Sequence, residues 1–246
     1  MNAPPWPDAA HDPRSSAWPQ LLRQAEPAAA ERMMRSAALA LLQWQCQTRA
    51  GGAAALPALD EARAREELQG FVDWCVQREF ARQWTPTEQG WWAHSCRALL
   101  QNMAAQPELP LPNGGGGAEA LRGPFSYGLA ALLRDARGPG WDEAQQLDWA
   151  IRYWEQARKS GLAVEADFGE FWRQLEWTGL QRHLMLLGLA CRRKHGDGQP
   201  ADAQAQLPML FAHAVKVTTR YVELSPLTHL LQQLQGGLTQ TAFSLR

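Results

Sequence analysis

Apolar residues recur at helical spacing along most of the chain. From Ala28 to Arg49 the positions Met34, Ala38, Leu41, Leu42 and Cys46 share one helix face, and Gly51-Gly52 ends the run. Asp60 stands where it can cap a second helix to about Gln83, with Leu68, Phe71, Val72, Cys75, Val76 and Phe80 as its buried stripe. Thr85-Pro86-Thr87-Glu88 reads as the start of a third: a threonine cap, proline in the first turn, then an acid, with the helix continuing to about Ala105. Beyond residue 120 the pattern returns. A short helix is expected from Phe125 to Ala136, one capped by Asp142 through Lys159, and a long one capped by Asp167 to about Lys194. Leu207, Leu210, Phe211, Ala214, Val217 and Tyr221 mark another, and Pro226 opens a last one through Leu234. No segment shows the period-two alternation of a strand, and no long repeat is visible. The expected fold class is all-α.

Three segments break the pattern. Residues 1–27 are rich in proline and read as a flexible arm, with one helical turn at Trp18 to Gln24. Residues 107–118 carry Pro107, Pro110, Pro112 and the glycines 114–117, so a linker is expected, either between subdomains or as a surface loop within one domain. Residues 236–246, after Gly236-Gly237, should fray. Between arm and tail, residues 28–235 form the helical body.

Composition narrows the classes. At 246 residues and 46% hydrophobic content, the chain can bury a substantial core. A net charge of -1 gives no general attraction to nucleic acid or an anionic membrane, and neither is expected as a partner. The run Arg192-Arg193-Lys194-His195 suits a helix C-terminus. The longest apolar stretch, Leu184 to Cys191, is too short to span a bilayer, and the N-terminal residues do not read as a secretory signal. Cys46, Cys75, Cys96 and Cys191 are scattered in apolar helices and read as reduced core thiols of a cytoplasmic protein.

The usual catalytic signatures are missing. The glycine run has no following Lys-Ser/Thr, no G-x-S-x-G occurs, and no two histidines stand at i, i+4. Neither a bound cofactor nor a metal is expected. One polar group interrupts an apolar helix: Glu176, Trp177, Gln181, Arg182 and His183. Burying Arg182 requires a partner, and Asp135, Glu67 and Glu176 are the candidates. A sugar-binding groove, if present, would use Glu67 and Trp74 from one helix with Trp177 and Arg182 from another, since aromatic faces beside charged groups suit sugar hydroxyls and acyl groups. The same residues would serve a core equally well.

Several stretches carry a family resemblance. LRGPFSYGLAALLRDA (121–136), LDWAIRYWEQARKSG (147–161) and DFGEFWRQLEWTGLQRHLMLLGLACRRKHGDG (167–198) resemble the helical lobe of aminoglycoside-phosphotransferase-like kinases. LDEARAREELQGFVDWCVQREF (59–80) and ALALLQWQCQ (38–47) fit the same group. The similarity is greatest to the bacterial anomeric kinases of N-acetylmuramate and N-acetylglucosamine, which serve peptidoglycan recycling. It implies the helical C-terminal lobe of a protein-kinase-like fold, here without the β-rich nucleotide lobe.

The same resemblance implies a catalytic HxD loop with a following Asn, and a metal-binding Asp before the Gly-Pro turn. Here ELPLPNGGGGAEA (108–120) has no His, Asp or basic residue; Asn113 stands among Pro and Gly, and Glu119 is the carboxylate nearest the metal position. Gly128, after Tyr127, stands where the family carries an Asp that would brace the catalytic loop. The expectation is a degenerate, catalytically inactive pseudokinase that binds a sugar-like ligand or a protein partner. ATP and magnesium enter only if the chain is a phosphotransferase completed by another chain or rewired. A further alternative is a structural module that self-associates through surface the absent lobe would uncover.

Overall fold

The computed structural model describes residues 18–49, 56–111, 121–134, 141–196 and 200–244, and within them helices form where apolar positions recur at helical spacing. In chain order they are α1 (Trp18–Gln24), α2 (Pro27–Arg49), α3 (Glu61–Gly70), α4 (Pro86–Ala104), α5 (Ser126–Leu133), α6 (Glu143–Lys159), α7 (Phe168–His195), α8 (Pro200–Thr218) and α9 (Ser225–Ser244). The all-α reading holds. The strands among the described residues are two short ones, β1 (Glu108–Leu111) and β2 (Leu121–Pro124). No described helix is long and apolar enough to cross a membrane.

The expected caps form, because each supplies an acceptor to otherwise unpaired N–H groups of a first turn. Asp60 Oδ1 accepts from Arg63 N at 2.9 Å, and Asp167 Oδ1 from Glu170 N at 2.9 Å. Asp142 and Gln145 form a reciprocal capping box at 2.8 and 3.0 Å. Thr85 and Glu88 do the same before α4, with Thr85 N donating to Glu88 Oε2 at 2.8 Å and Glu88 N to Thr85 Oγ1 at 3.3 Å. The helix stop expected at Gly51-Gly52 lies outside the described residues, while α7 ends at His195, where Gly196 N donates to Arg192 O at 2.7 Å. α9 runs past the expected end at Leu234, through Gly236-Gly237, to Ser244.

The chain divides into two units. The first takes the residues up to Leu59 together with Met103–Gly179; the second takes Asp60–Asn102 together with Leu180–Arg246. Both described flanks of the 107–118 segment belong to the first unit, so the division does not fall there. Residues 112–118 lie outside the described residues.

In the first unit, Met34, Leu41, Leu42 and Trp44 of α2 pack with Leu129 and Leu133 of α5, Trp149 and Tyr153 of α6, and Phe171 and Leu175 of α7. Beside this core, β1 and β2 pair antiparallel, with Leu111 opposite Leu121 and Glu108 opposite Pro124. The chain before α3 joins the other edge of β2: Leu59 N donates to Arg122 O at 2.7 Å, and Arg122 N to Pro57 O at 2.9 Å. Gly123 leaves room on both sides, since a Cβ there would lie 2.9 Å from Leu111 Cδ1 and 3.2 Å from Leu59 Cβ. The strand pair escaped the sequence reading because four-residue runs holding Pro110, Gly123 and Pro124 carry no alternation and use residues depleted in strands.

In the second unit, α3 continues into a π-helical segment, Phe71–Glu79, and the two lie beside the Leu180–His195 part of α7. Glu67 meets Gln181, while Glu79 meets both Lys194 and His195, giving sequence separations of 114, 115 and 116. A near-constant separation means that the helices run parallel. They touch backbone to backbone: a Cβ at Gly188 would lie 2.6 Å from Gly70 C and 2.7 Å from Phe71 N, so alanine does not fit there without displacing main chain. The π segment has a physical use in this pairing. An i, i+4 repeat drifts around an α-helix in one sense and around the wider π turn in the other. Glu67 and Glu79 therefore both reach α7.

The second helix was expected to reach Gln83, but its π segment ends at Glu79. Ala81 adopts a left-handed conformation (φ 48°), with Phe80 N donating to Cys75 O and Arg82 N to Val76 O. This is the stop that glycine usually supplies. Relieving the Cβ strain outweighs the added flexibility of the unfolded chain. Ala81→Gly should raise stability by about 0.5–1 kcal/mol, read as a higher urea midpoint with an unchanged m-value.

Candidate functional site

The polar side chains nominated from sequence fall into different settings. Glu67 is half-buried on α3, Trp74 half-buried in the π segment, and Arg182 half-buried on α7, all in the second unit. Trp177 lies in the first unit and is only 4% exposed, its ring faced by the Arg173 guanidinium at 4.9 Å. Trp74 has Arg78 over its ring at 5.9 Å.

Around Glu67 the second unit assembles a small polar cluster. Gln181, fully buried, donates from Nε2 to Glu67 Oε2 at 2.9 Å. Burial pushes the Glu67 carboxyl above its usual range, against the pull of Gln181 and the nearby Arg63 and Arg182 charges. Gln181 Oε1 is itself buried with no hydrogen-bond partner among the described residues, an arrangement that typically costs about 1–3 kcal/mol. Chemically this is a carboxyl whose charge is disfavoured by burial, held by an amide and close to guanidinium groups. It can accept hydrogen bonds from hydroxyls or, when protonated, donate one.

A second cluster was not foreseen. Glu79, at the end of the π segment, accepts from Lys194 Nζ at 2.6 Å and contacts His195 Nε2 at 2.7 Å. Burial pushes the Glu79 carboxyl up, but the hydrogen bonds from Lys194 and His195 outweigh it and hold the carboxyl below its usual range. The sequence signalled only a basic helix end. Knowing which acid it would meet requires knowing that the helices run parallel.

Three carboxylates were candidates for Arg182. Glu176 is the partner of Arg134, at 3.0 Å, with both side chains buried in the first unit. Arg134 also lies 5.3 Å from the Trp172 ring. Of the other two candidates, Asp135 lies outside the described residues, and Glu67 is the carboxyl on which the Arg182 charge acts. Arg134 is delivered by the end of α5, immediately after Leu133.

Behind the strand pair sits a buried polar triangle. Ser126 Oγ lies 2.6 Å from Gln106 Oε1 and 2.8 Å from Thr178 Oγ1, and Gln106 Nε2 donates to Thr178 at 3.0 Å. On the strands themselves, Arg122 Nη1 pairs with Glu108 Oε2 at 2.6 Å. Asn113 and Glu119 lie outside the described residues. Among the described residues, no three His, Cys, Asp or Glu side chains gather as a metal site would require.

Removing one partner of a buried ion pair leaves the other charge stranded, at a cost of roughly 3–5 kcal/mol. Glu176→Gln should show most of that loss in urea denaturation, and the double change Arg134→Met with Glu176→Leu should show much less. The two carboxyls of the second unit should respond oppositely to pH. Glu79, with its folded pKa lowered, contributes stability above the ordinary carboxylate range that is lost as pH falls through the folded value. Glu67, with its folded pKa raised, contributes stability at acid pH that is lost as pH rises through the folded value. Urea midpoints measured from about pH 3 to 8 should therefore fall at neutral pH for Glu79→Gln and rise there for Glu67→Gln.

The chain is similar to curated proteins named N-acetylmuramate/N-acetylglucosamine kinase. One from Neisseria meningitidis serogroup B is 37% identical over 196 residues, covering 74% of this chain and 58% of that protein. One from Pseudomonas putida is 32% identical, covering 75% of this chain and 58% of that protein. One from Pseudomonas aeruginosa is 31% identical, covering 86% of this chain and 65% of that protein. No protein-family model and no solved structure matches. The chain thus spans roughly three-fifths of the length of these relatives. It is homologous over most of its own length to the N-acetylmuramate/N-acetylglucosamine kinases.

Proposed function

We propose that this chain is a non-phosphorylating relative of the amino-sugar kinases that acts by binding. The observation that carries the reading lies inside the chain, in the first unit. Where the resemblance would place the catalytic loop and the metal-binding Asp, the chain turns through β1 and β2, closing at Leu111 opposite Leu121. Residues 107–124 contain no His and no Asp. Glu108, the described carboxylate of these strands, is engaged by Arg122 at 2.6 Å. Phosphoryl transfer is mostly positioning and charge neutralisation, which demands a metal held by several oxygen ligands and a residue that orients the attacking hydroxyl. These residues do not fit a magnesium ion, so no transfer step is assigned to them. Gly128 in α5 agrees with this reading, since an Asp bracing a catalytic loop has no counterpart there.

The ligand class favoured is an amino-sugar-like molecule, and the protein surface it would meet is that of Glu67 and Arg182 in the second unit; Trp74 stands apart from them, its ring beside Gly196 and Arg78. Trp177 is assigned to the core. A protein partner or self-association would replace this reading if no sugar binds. The test combines calorimetric titration with N-acetylmuramate and N-acetylglucosamine and a coupled ATP-consumption assay with magnesium and the same sugars. Saturable sugar binding, weakened by Glu67→Ala, with no sugar-dependent ATP turnover is the expected result. Magnesium-dependent turnover above a no-protein control would overturn the non-catalytic reading and favour a phosphotransferase that uses residues elsewhere. Lack of sugar binding would overturn the ligand assignment.

A further inference from the structure

Two thiols of the second unit meet in its core. Cys75 belongs to the π segment and Cys191 to α7, and neither has any exposed surface. Both are free, and the register of the parallel helices sets them at facing positions. The contact lies between two others that fix the same helices side by side. On one side Gly188 touches the backbone at Gly70 and Phe71, and on the other Glu79 holds Lys194 and His195. Backbones that approach this closely allow side chains as short as cysteine to meet across a helix pair. A disulfide requires an S–S bond of about 2.05 Å and neighbouring Cβ atoms. Cysteines at facing positions on two parallel helices whose backbones touch need only a small closure.

We propose that Cys75 and Cys191 are a dithiol that a peroxide converts to a disulfide, locking the π segment to α7. In the first step the sulfur of one cysteine attacks a peroxide oxygen. An S–O bond forms, the O–O bond breaks, and the departing hydroxide takes the thiol proton to leave as water. In the second step the other thiol gives up its proton and attacks the sulfenic sulfur, the S–S bond forms, the S–O bond breaks, and the departing hydroxide takes that proton to leave as a second water. Two thiols are oxidised and one peroxide is reduced.

Burial sets the rate. It pushes the Cys75 thiol well above its usual range, so little thiolate exists while the core is closed. Reaction therefore proceeds through openings of the α7 end, which the Glu79 clamp restrains. Weakening that clamp should speed the oxidation. Once formed, the bond closes a loop of roughly a hundred residues and restricts the unfolded chain accordingly.

The test uses the full chain treated with hydrogen peroxide, followed by thiol counting and peptide mapping without reduction. Four free thiols should fall to two, with a single cross-linked peptide joining Cys75 to Cys191. A reducing agent should restore all four, and the oxidised chain should show a higher urea midpoint. Glu79→Gln should oxidise several-fold faster, whereas Cys75→Ser should keep its remaining thiols. Cross-links to Cys46 or Cys96, or four thiols surviving a dose that oxidises the urea-unfolded chain, would overturn the proposal. The wild-type peptide map decides the matter even where a variant folds poorly.

Discussion

The second unit depends on one glycine, Gly188, that lets main chain touch main chain. Where Gly188 meets Gly70 and Phe71, no side chain separates α7 from the end of α3 and the start of the π segment. That spacing sets the contacts on both sides. Glu67 and Gln181 come within hydrogen-bonding distance, Cys75 and Cys191 stand at facing positions, and the last turn of α7 delivers two cationic donors to Glu79. The change from α to π geometry keeps these positions turned toward α7 instead of letting them wind away. A wider turn with poorer hydrogen-bond geometry is tolerated because it keeps an entire row of cross-helix contacts in register.

The first unit solves a different problem, that of closing a backbone around polar groups without leaving them unpaired. Gln106 precedes β1, Ser126 begins α5, and Thr178 lies on α7, so their buried contact joins three parts of the unit. Tyr153 and Gln45 make a similar buried contact between α6 and α2, and Gln45 Nε2 donates to Phe125 O at 3.3 Å. Arg134 and Glu176 add a charged pair between α5 and α7. Such contacts contribute modest net stability when complete, and their main effect is to disfavour alternative packings in which a buried donor or acceptor would be left alone. The short strands fit this scheme, since their backbone groups are paired with each other and with Pro57 and Leu59.

Much of this was legible in the sequence. Helix starts at Asp60, Thr85, Asp142 and Asp167 were readable because a cap is a local device, set by one side chain and the next turn. The buried stripe of the second helix was readable because Leu68, Phe71, Val72, Cys75 and Val76 repeat at short range. What could not be read depends on pairs far apart in the chain. Glu79 has no local reason to seek Lys194, and Arg134 and Glu176 stand on helices whose juxtaposition no periodicity encodes. The π segment was hidden for a related reason: its apolar positions match an α pattern, and the departure lies in which carbonyl each N–H selects. Trp74 and Trp177 look equivalent as tryptophans on amphipathic helices, yet one is half-buried and the other enclosed. Composition cannot distinguish them, because the difference lies in what each faces.

Gly179 carries a consequence for how this chain can change over time. A Cβ there would lie 2.8 Å from Arg134 Cδ, the same arginine that pairs with Glu176. The absence of a side chain at one position is thus the space occupied by the stem of another, and the two sites are free to vary only together. An alanine at 179 would push the Arg134 stem aside, and with it the guanidinium that Glu176 needs as a buried charge. Position 134 and the neighbouring positions 176 and 179 are therefore coupled, and related sequences should carry Arg, Glu and Gly at these places as a set or replace them as a set.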